Sequence, residues 1–271
     1  MKLNFWKMSG SGNDFIFIDN RNNAVKDLNL PEFIKKLCAR GVSVGADGLV
    51  LVEHSDRADF KWRFYNSDAT EAEMCGNASR CVARFAYLND IAISKKMRFE
   101  TLAGIIEAEL VEDNKVKVLL TKPLNLKYDY SIEIDNKICN ISSVDTGVPH
   151  VVMQVKDIEN FDLISFGRKV RYHKMFAPAG TNVNVYEKLD NGKIRMRTYE
   201  RGVEGETMAC GTGAVAVSIF AVKEGISVNP VSIITSSNLE LKVYIENEKC
   251  YLEGEARIIY KGELHEDAYK Y

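Results

Sequence analysis

At 271 residues the chain exceeds the ~100–200 residues of one ordinary domain, so two domains are expected. Hydrophobic residues at 46% and charged residues at 27% describe an ordinary globular protein. A formal net charge of -2 gives no electrostatic ground for a nucleic-acid partner.

The opening stretch Met1 to Gly10 is broken by charge and glycine and offers no secretory h-region. The apolar run around Ala214 to Val222 contains a serine and is shorter than the ~20 residues that span a bilayer. No membrane partner and a cytoplasmic location are therefore expected. Leu3 to Asp19 reads as a strand, a turn over Ser9 to Asp14, and a second strand Phe15 to Ile18. The turn lacks the Gly-Lys-Ser/Thr ending of a phosphate loop and leads into a strand, so it is read as a substrate-contacting turn.

Pro31 near a first turn, with Phe33, Ile34, Leu37 and Cys38 at helical spacing, predicts a helix from Leu30 to about Ala39, ended by Gly41. Gly45 to Gly48 is a turn before the buried strand Leu49 to Val52, and Phe60 to Tyr65 is a strand that delivers Asn66-Ser67-Asp68 to a loop. Behind Cys75-Gly76, the residues Ala78, Cys81, Val82, Phe85 and Ala86 form one face of a helix. Met97 to Val111 reads as a hairpin through Ala103-Gly104, followed by the strand Lys115 to Leu120.

The polar stretch Thr121 to Ile138 is read as the connection between domains. Beyond it come a strand to Val144, a turn Asp145 to His150, a strand Val151 to Met153 and a helix near Leu163 to Val170. Gly180-Thr181-Asn182 then precedes the strand Val183 to Tyr186. Ile194 to Tyr199 is a further strand, followed by Cys210-Gly211 with its own helix and terminal strands between Val231 and Tyr260. Adding 135 takes Gly12 to Gly147, Gly45 to Gly180, Glu71 to Glu206, Cys75 to Cys210, Val82 to Val217 and Phe85 to Phe220. A constant offset without a gap is expected of an internal duplication, two α+β domains related by a pseudo-twofold axis with the two Cys-Gly turns facing across a cleft.

Of the six cysteines, none forms a Cys-x-x-Cys pair or adjoins histidines at zinc-ligand spacing, so reduced thiols and no metal site are expected. Cys38, Cys81, Cys139 and Cys250 are read as small buried hydrophobes, and His54, His173 and His265 as surface or structural residues. Cys75 and Cys210 differ, because a sulfur at the positive end of a helix is readily a thiolate. Two such thiols suit a reaction in which one removes a proton from a carbon and the other returns one to its opposite face. Gly76, Asn77, Gly211 and Thr212 place helix N-terminal N–H groups where they can hold a substrate carboxylate.

Taken in order, Lys7-Met8, Gly12 to Phe15, Gly45 to Gly48, Glu71 to Asn77 with Arg80-Cys81, Gly147 with Pro149-His150, Gly180 to Asn182, and Glu200 to Gly202 leading to Ala209 to Gly213 resemble the diaminopimelate epimerase family. The resemblance covers nearly the whole chain. It implies two pseudo-symmetric α+β domains, each a mostly antiparallel sheet wrapped around a central helix. Residues 1–121, completed by 261–271, would form one domain and 122–260 the other. It further implies interconversion of LL- and meso-diaminopimelate without a cofactor or metal, in lysine and peptidoglycan precursor synthesis, by a homodimer. Cys75 and Cys210 are the implied acid and base, and His150 and Glu200 the implied groups that tune them. Asn13, Asn66, Asn77, Asn182, Glu200, Arg201 and Thr212, with Gly76 and Gly211, are the implied substrate contacts. Arg201 would pair with the distal carboxylate.

Ser9, Ser11, Ala69 and Ala78-Ser79 depart from the commoner family residues, and Val148 stands where many members carry a substrate-binding Asn. Glu204-Gly205 lengthens the Glu-Arg-Gly loop by one residue. Three other readings are weighed: a proline or hydroxyproline racemase of the same fold, a dithiol redox protein, and a non-enzymatic amino acid binding protein. Arg201 and the Asn set argue against the first, the absence of Cys-x-x-Cys against the second, and the paired thiols against the third.

Overall fold

The computed structural model of the protein describes residues 3–271; Met1 and Lys2, the start of the stretch read for a secretory signal, lie outside the described residues. The chain divides into two compact units, residues 1–118 with 254–271, and residues 119–253. The sequence placed these divisions a few residues later, after 121 and 260.

In the first unit β1 (Leu3–Gly10) and β2 (Asn13–Asp19) pair as an antiparallel hairpin. The chain then crosses over through α1 (Leu30–Cys38) to lay β3 (Gly48–Glu53) parallel to β2, since parallel neighbours need such a crossover. β4 (Phe60–Asn66) and the short β5 (Glu71–Ala72) continue antiparallel, and α2 (Gly76–Leu88) follows. β6 (Lys96–Thr101) runs parallel to β4, with β7 (Gly104–Glu112) and β8 (Lys115–Leu119) added antiparallel. The closing strand Arg257–Leu264 lies antiparallel against β1.

Both faces of this sheet are covered. Ile16, Ile18, Leu49 and Leu51 pack on Phe33, Ile34 and Leu37 of α1. The alternate residues turn the other way, where Phe17 stacks on Phe85 of α2 with ring centroids 5.6 Å apart. A strand covered on both sides reads as an unbroken apolar run, which is why Leu49 to Val52 carries no polar position. The helix α1 stops at Cys38, with extended Ala39 as its cap, and Gly41 (φ 76°) turns the chain in the loop beyond instead of ending the helix.

The second unit repeats the order. β9 (Leu124–Ile134) and β10 (Lys137–Asp145) form an antiparallel hairpin, and β11 (Pro149–Gln154) follows. α3 (Leu163–Arg171) makes the crossover to β12 (Asn182–Lys188), which is parallel to β11. β13 (Ile194–Glu200), β14 (Gly205–Thr207), α4 (Gly211–Lys223), β15 (Val231–Ile234), β16 (Glu240–Glu246) and β17 (Lys249–Glu255) come next. β15 pairs parallel to β13, as β6 does to β4. Val183, Val185 and Tyr199 join Leu163 and Val170 of α3 in one core, while α4 is apolar on nearly every side, as a helix enclosed by its own sheet must be.

Two expectations need correction. Residues 121–138 are mostly strand, not linker: β9 pairs with β10 from Ile134 opposite Lys137 to Leu124 opposite Asp145. Leu124, Leu126, Tyr128, Tyr130, Ile132 and Ile134 alternate with polar residues along the whole strand, a period-two signal that the linker reading passed over. Leu124 to Lys127 are nevertheless exposed, and only Ile132 and Ile134 enter the core. The repeat also carries a gap. Asn182 stands opposite His150 as Gly48 stands opposite Phe15, and Tyr199 opposite Val183 as Tyr65 opposite Leu49, so β12 and β13 follow β3 and β4 at 134 residues, not 135. Gly180 to Asn182 is one residue shorter than Gly45 to Gly48, and Glu204 restores the count before Glu206. The flanking turns keep their shape, with Gly45 and Gly180 both at φ 69°.

Candidate active site

Cys75 and Cys210 occupy the same local position in their units. Each is the extended residue that caps a helix, with φ -146° and ψ 118° at Cys75 and φ -125° and ψ 111° at Cys210. The first intrahelical bonds run from Ser79 N to Cys75 O and from Ala214 N to Cys210 O. The N–H groups of Gly76 and Asn77, and of Gly211 and Thr212, precede those bonds and lack intrahelical acceptors. Such a helix start attracts an anion.

In the second unit, β11, β12 and α4 converge on Cys210. His150 is fully buried. Its Nε2 lies 2.9 Å from Thr212 Oγ1 and its Nδ1 3.0 Å from Asn184 Nδ2. Thr212 Oγ1 in turn lies 3.4 Å from Cys210 Sγ, which also accepts the Gly213 N–H at 3.4 Å. Thr146 Oγ1 donates to Thr212 O at 3.0 Å and fixes the turn. Asn182, buried, accepts the Arg201 backbone N–H at 2.7 Å, and Arg201 Nη1 donates to Ala179 O at 3.3 Å.

Burial dominates the electrostatics here. It pushes the Cys210 thiol up to about 12, helped by the charge of Glu200 and opposed by the donors from Thr212 and Gly213. The expectation that a cysteine at this position is readily a thiolate therefore fails for Cys210, because desolvation outweighs the helix end. Burial, with the Arg201 charge, also holds His150 near 3, so the imidazole is neutral. Burial raises the Glu200 carboxyl. The additional residue Glu204 closes the loop between β13 and β14: it accepts from Gly202 N at 3.0 Å and from Arg171 Nε at 3.1 Å.

The first unit builds its site differently. Asn13 Nδ2 donates to Asp47 Oδ2 at 3.0 Å, and Asn13 Oδ1 accepts from Asn77 Nδ2 at 2.7 Å. Beneath them lies Arg80, fully buried. Its guanidinium donates to Asn77 Oδ1 and Ser11 Oγ at 2.7 Å each, to Gly76 O at 3.2 Å and to Glu255 O at 3.4 Å. All four acceptors are neutral oxygens. Asn66 stands apart: its side chain is exposed and donates to Thr70 Oγ1 at 2.9 Å.

The family model described as diaminopimelate epimerase matches residues 5–125 and 142–259, which is most of the chain and both units. The chain belongs to the diaminopimelate epimerase family. It is 48% identical to the diaminopimelate epimerase of Hydrogenobaculum sp. (strain Y04AAS1) over 95% of this chain and 97% of that relative. It is 42% identical to the diaminopimelate epimerase of Aquifex aeolicus over 99% of this chain and 100% of that one. Its fold is similar to the crystal structure of a probable proline racemase from Agrobacterium radiobacter K84, with a TM-score of 0.68 at 14% identity over 97% of this chain and 93% of that one.

Within this diaminopimelate epimerase family chain, the sequence located Cys210, His150, Thr212, Asn182 and Arg201, which the second unit gathers, and Asn13, Cys75, Gly76 and Asn77, which the first does. It missed Asn184, Thr198, Ser11 and Arg80. One signal for Asn184 was available, since Asn182 and Asn184 alternate on a strand otherwise made of Val and Tyr and so share one face. Val148 has no side-chain amide to offer a substrate, and its backbone O accepts from Thr146 N at 3.1 Å. Of the cysteines read as buried hydrophobes, Cys38, Cys81 and Cys250 are buried and Cys139 is half-buried. No helix among the described residues is long and apolar enough to cross a membrane.

Proposed function

We propose that this protein is a diaminopimelate epimerase that interconverts the LL and meso forms by two-base proton transfer between Cys75 and Cys210. The observation that carries the reading is the repetition of one device: a cysteine capping a helix start, once in each unit, in a chain of this family. A thiolate removes the α-proton from one face of the carbon and becomes a thiol. The other thiol gives its proton to the opposite face and becomes a thiolate. The product leaves with inverted configuration, and no electrons are gained or lost. The helix-start N–H groups hold the reacting carboxylate as charge develops, and Asn13, Asn66, Asn182, Glu200 and Arg201 hold the rest of the substrate. Neither a cofactor nor a metal takes part.

The surroundings of the two thiols favour one pair of starting states. Arg80 is a wholly buried cation whose hydrogen bonds all end on neutral oxygens, one of them Gly76 O beside Cys75. Such a charge is costly without a neighbouring anion, which favours Cys75 as the starting thiolate. Cys210, buried near a carboxylate and a neutral imidazole, begins as the thiol. The enzyme acts in the cytoplasm as a homodimer, as the family resemblance implies.

The test is incubation with LL-diaminopimelate in deuterated water, read at early times. Deuterium should enter the epimerised product while recovered substrate stays largely unlabelled. Absence of both epimerisation and isotope incorporation would refute the reading.

A further inference from the structure

The hydrogen bonds around Asn184 determine where protons sit. Asn184 Nδ2 donates to Val151 O at 2.9 Å, and a carbonyl only accepts, so this atom is the amino nitrogen. Asn184 Oδ1 accepts from Thr198 Oγ1 at 2.9 Å, which agrees. The second N–H of the same amide points at His150 Nδ1, 3.0 Å away, so Nδ1 carries no proton. The imidazole is neutral, so its single proton is on Nε2, where it is donated to Thr212 Oγ1 at 2.9 Å. The hydroxyl then accepts from the histidine and has its own proton to place, and the next acceptor is Cys210 Sγ at 3.4 Å.

We infer that Asn184 is a positioning residue for the reaction: it locks His150 in the Nε2–H tautomer and thereby turns the Thr212 hydroxyl proton toward Cys210 Sγ. The catalytic consequence rests on the proposed epimerase reading; the tautomer does not. Two donors, Thr212 Oγ1 and Gly213 N, then occupy lone pairs of the sulfur. The sulfur's own proton is left for the substrate, and the thiolate formed on transfer meets donors already in place. The charged and titratable groups acting on this chain are Glu200, whose charge raises the Cys210 thiol, and Arg201, whose charge keeps His150 neutral.

The device belongs to one thiol only. At the aligned positions of the first unit, Phe15 stands for His150, Val50 for Asn184 and Asn77 for Thr212. Those three residues cannot build the same histidine chain, and the buried cation of that unit is Arg80, bound to Gly76 O next to Cys75. The duplication has thus diverged into a buried cation behind one sulfur and a neutral proton-ordering chain behind the other.

The experiment begins with histidine labelled in the ring with nitrogen-15 in the free enzyme, His150 being assigned among the four histidines by its loss in His150→Gln. Long-range proton–nitrogen correlations should show the Nε2–H tautomer, unchanged from pH 7.5 to 5; an Nδ1–H tautomer or an imidazolium would overturn the inference. Asn184→Asp puts an acceptor against Nδ1, so the tautomer should reverse and kcat fall about tenfold or more, the size expected for one lost donor to a developing charge, with KM little changed. Thr212→Val should give a similar fall without altering the tautomer, Thr212→Ser should restore activity, and Asn184→Asp should add no further loss in the Thr212→Val background. These threonine variants keep the test decisive if Asn184→Asp does not fold. Multiplying losses in the double variant, or a reversed tautomer with unchanged kcat, would overturn the role. A protein inactive on diaminopimelate yet showing the Nε2–H tautomer and its reversal would count against the proposed function alone.

Discussion

Gly213→Ala tests how closely α4 must approach β12 for the Cys210 site to exist. A Cβ at position 213 would lie 2.3 Å from Asn184 Oδ1 and 3.3 Å from both Asn184 Cγ and Cys210 Cβ, whereas real Cβ contacts essentially never fall under 3.0 Å. Asn184 cannot swing aside without leaving Val151 O, Thr198 Oγ1 and His150 Nδ1, all buried. Overpacking costs about 1–3 kcal/mol, and one or two buried hydrogen bonds lost add about 1–3 kcal/mol. Against this, alanine gains up to ~1 kcal/mol of helix propensity. The net expectation is a destabilisation of about 2–4 kcal/mol, together with a lower kcat because Thr212 loses its ordering. Urea denaturation of Gly213→Ala and of Gly205→Ala, where an added Cβ meets nothing within 4 Å, gives the comparison. Gly205→Ala should stay within ~0.5 kcal/mol of the parent. If Gly213→Ala does so as well, the tight approach is not a constraint and the reasoning fails.

Cys75→Ala and Cys210→Ala should each abolish epimerisation in both directions, since either direction uses both sulfurs; near-parental turnover by either variant would remove that thiol from the mechanism. In the parent protein, iodoacetamide labelling mapped peptide by peptide should give a lower pH midpoint for Cys75 than for Cys210, and the reverse order would invert the assignment of starting states. Stability should also fall with acid before the carboxylates titrate. His150 holds a folded-state pKa near 3, below the ~6.5 of an unfolded histidine, so the unfolded chain takes the proton first. The stabilisation is complete above about pH 6.5 and declines toward pH 3, at about 1.4 kcal/mol per pH unit. Glu200, raised by burial, acts with the opposite sign and only above the ordinary carboxylate range. Urea midpoints from pH 7.5 to 5 that do not fall, or that fall equally in His150→Gln, would refute this.

Much of the molecule was legible because its signals are local. A Cys-Gly pair before an apolar helix fixes a capping sulfur whatever surrounds it, and the recurrence of that pair with its flanking glycines exposed the duplication. Family membership followed from motifs that each sit within a few residues. Three features went unread. Strand β9 was overlooked although Leu124, Leu126, Tyr128, Tyr130, Ile132 and Ile134 alternate with polar residues, because Pro123 and the polar half of that alternation were read as linker composition. The N-terminal half of the strand faces solvent, so its apolar positions carry no core signal. The gap in the repeat was hidden because a residue missing before β12 is restored at Glu204, and glycines on either side still align.

The protonation of the site was hidden most deeply. Sequence determined that two cysteines cap two helices and that asparagines, arginine and histidine accompany them. Only the tertiary structure decided that His150, Asn184 and Thr212 meet, because the parallel register of β11 and β12 and the start of α4 bring together residues 34 and 62 positions apart. It decided also that the Cys210 thiol is pushed up, since the helix end that favours its charge is a local property while the burial that outweighs it comes from the packing of the whole unit.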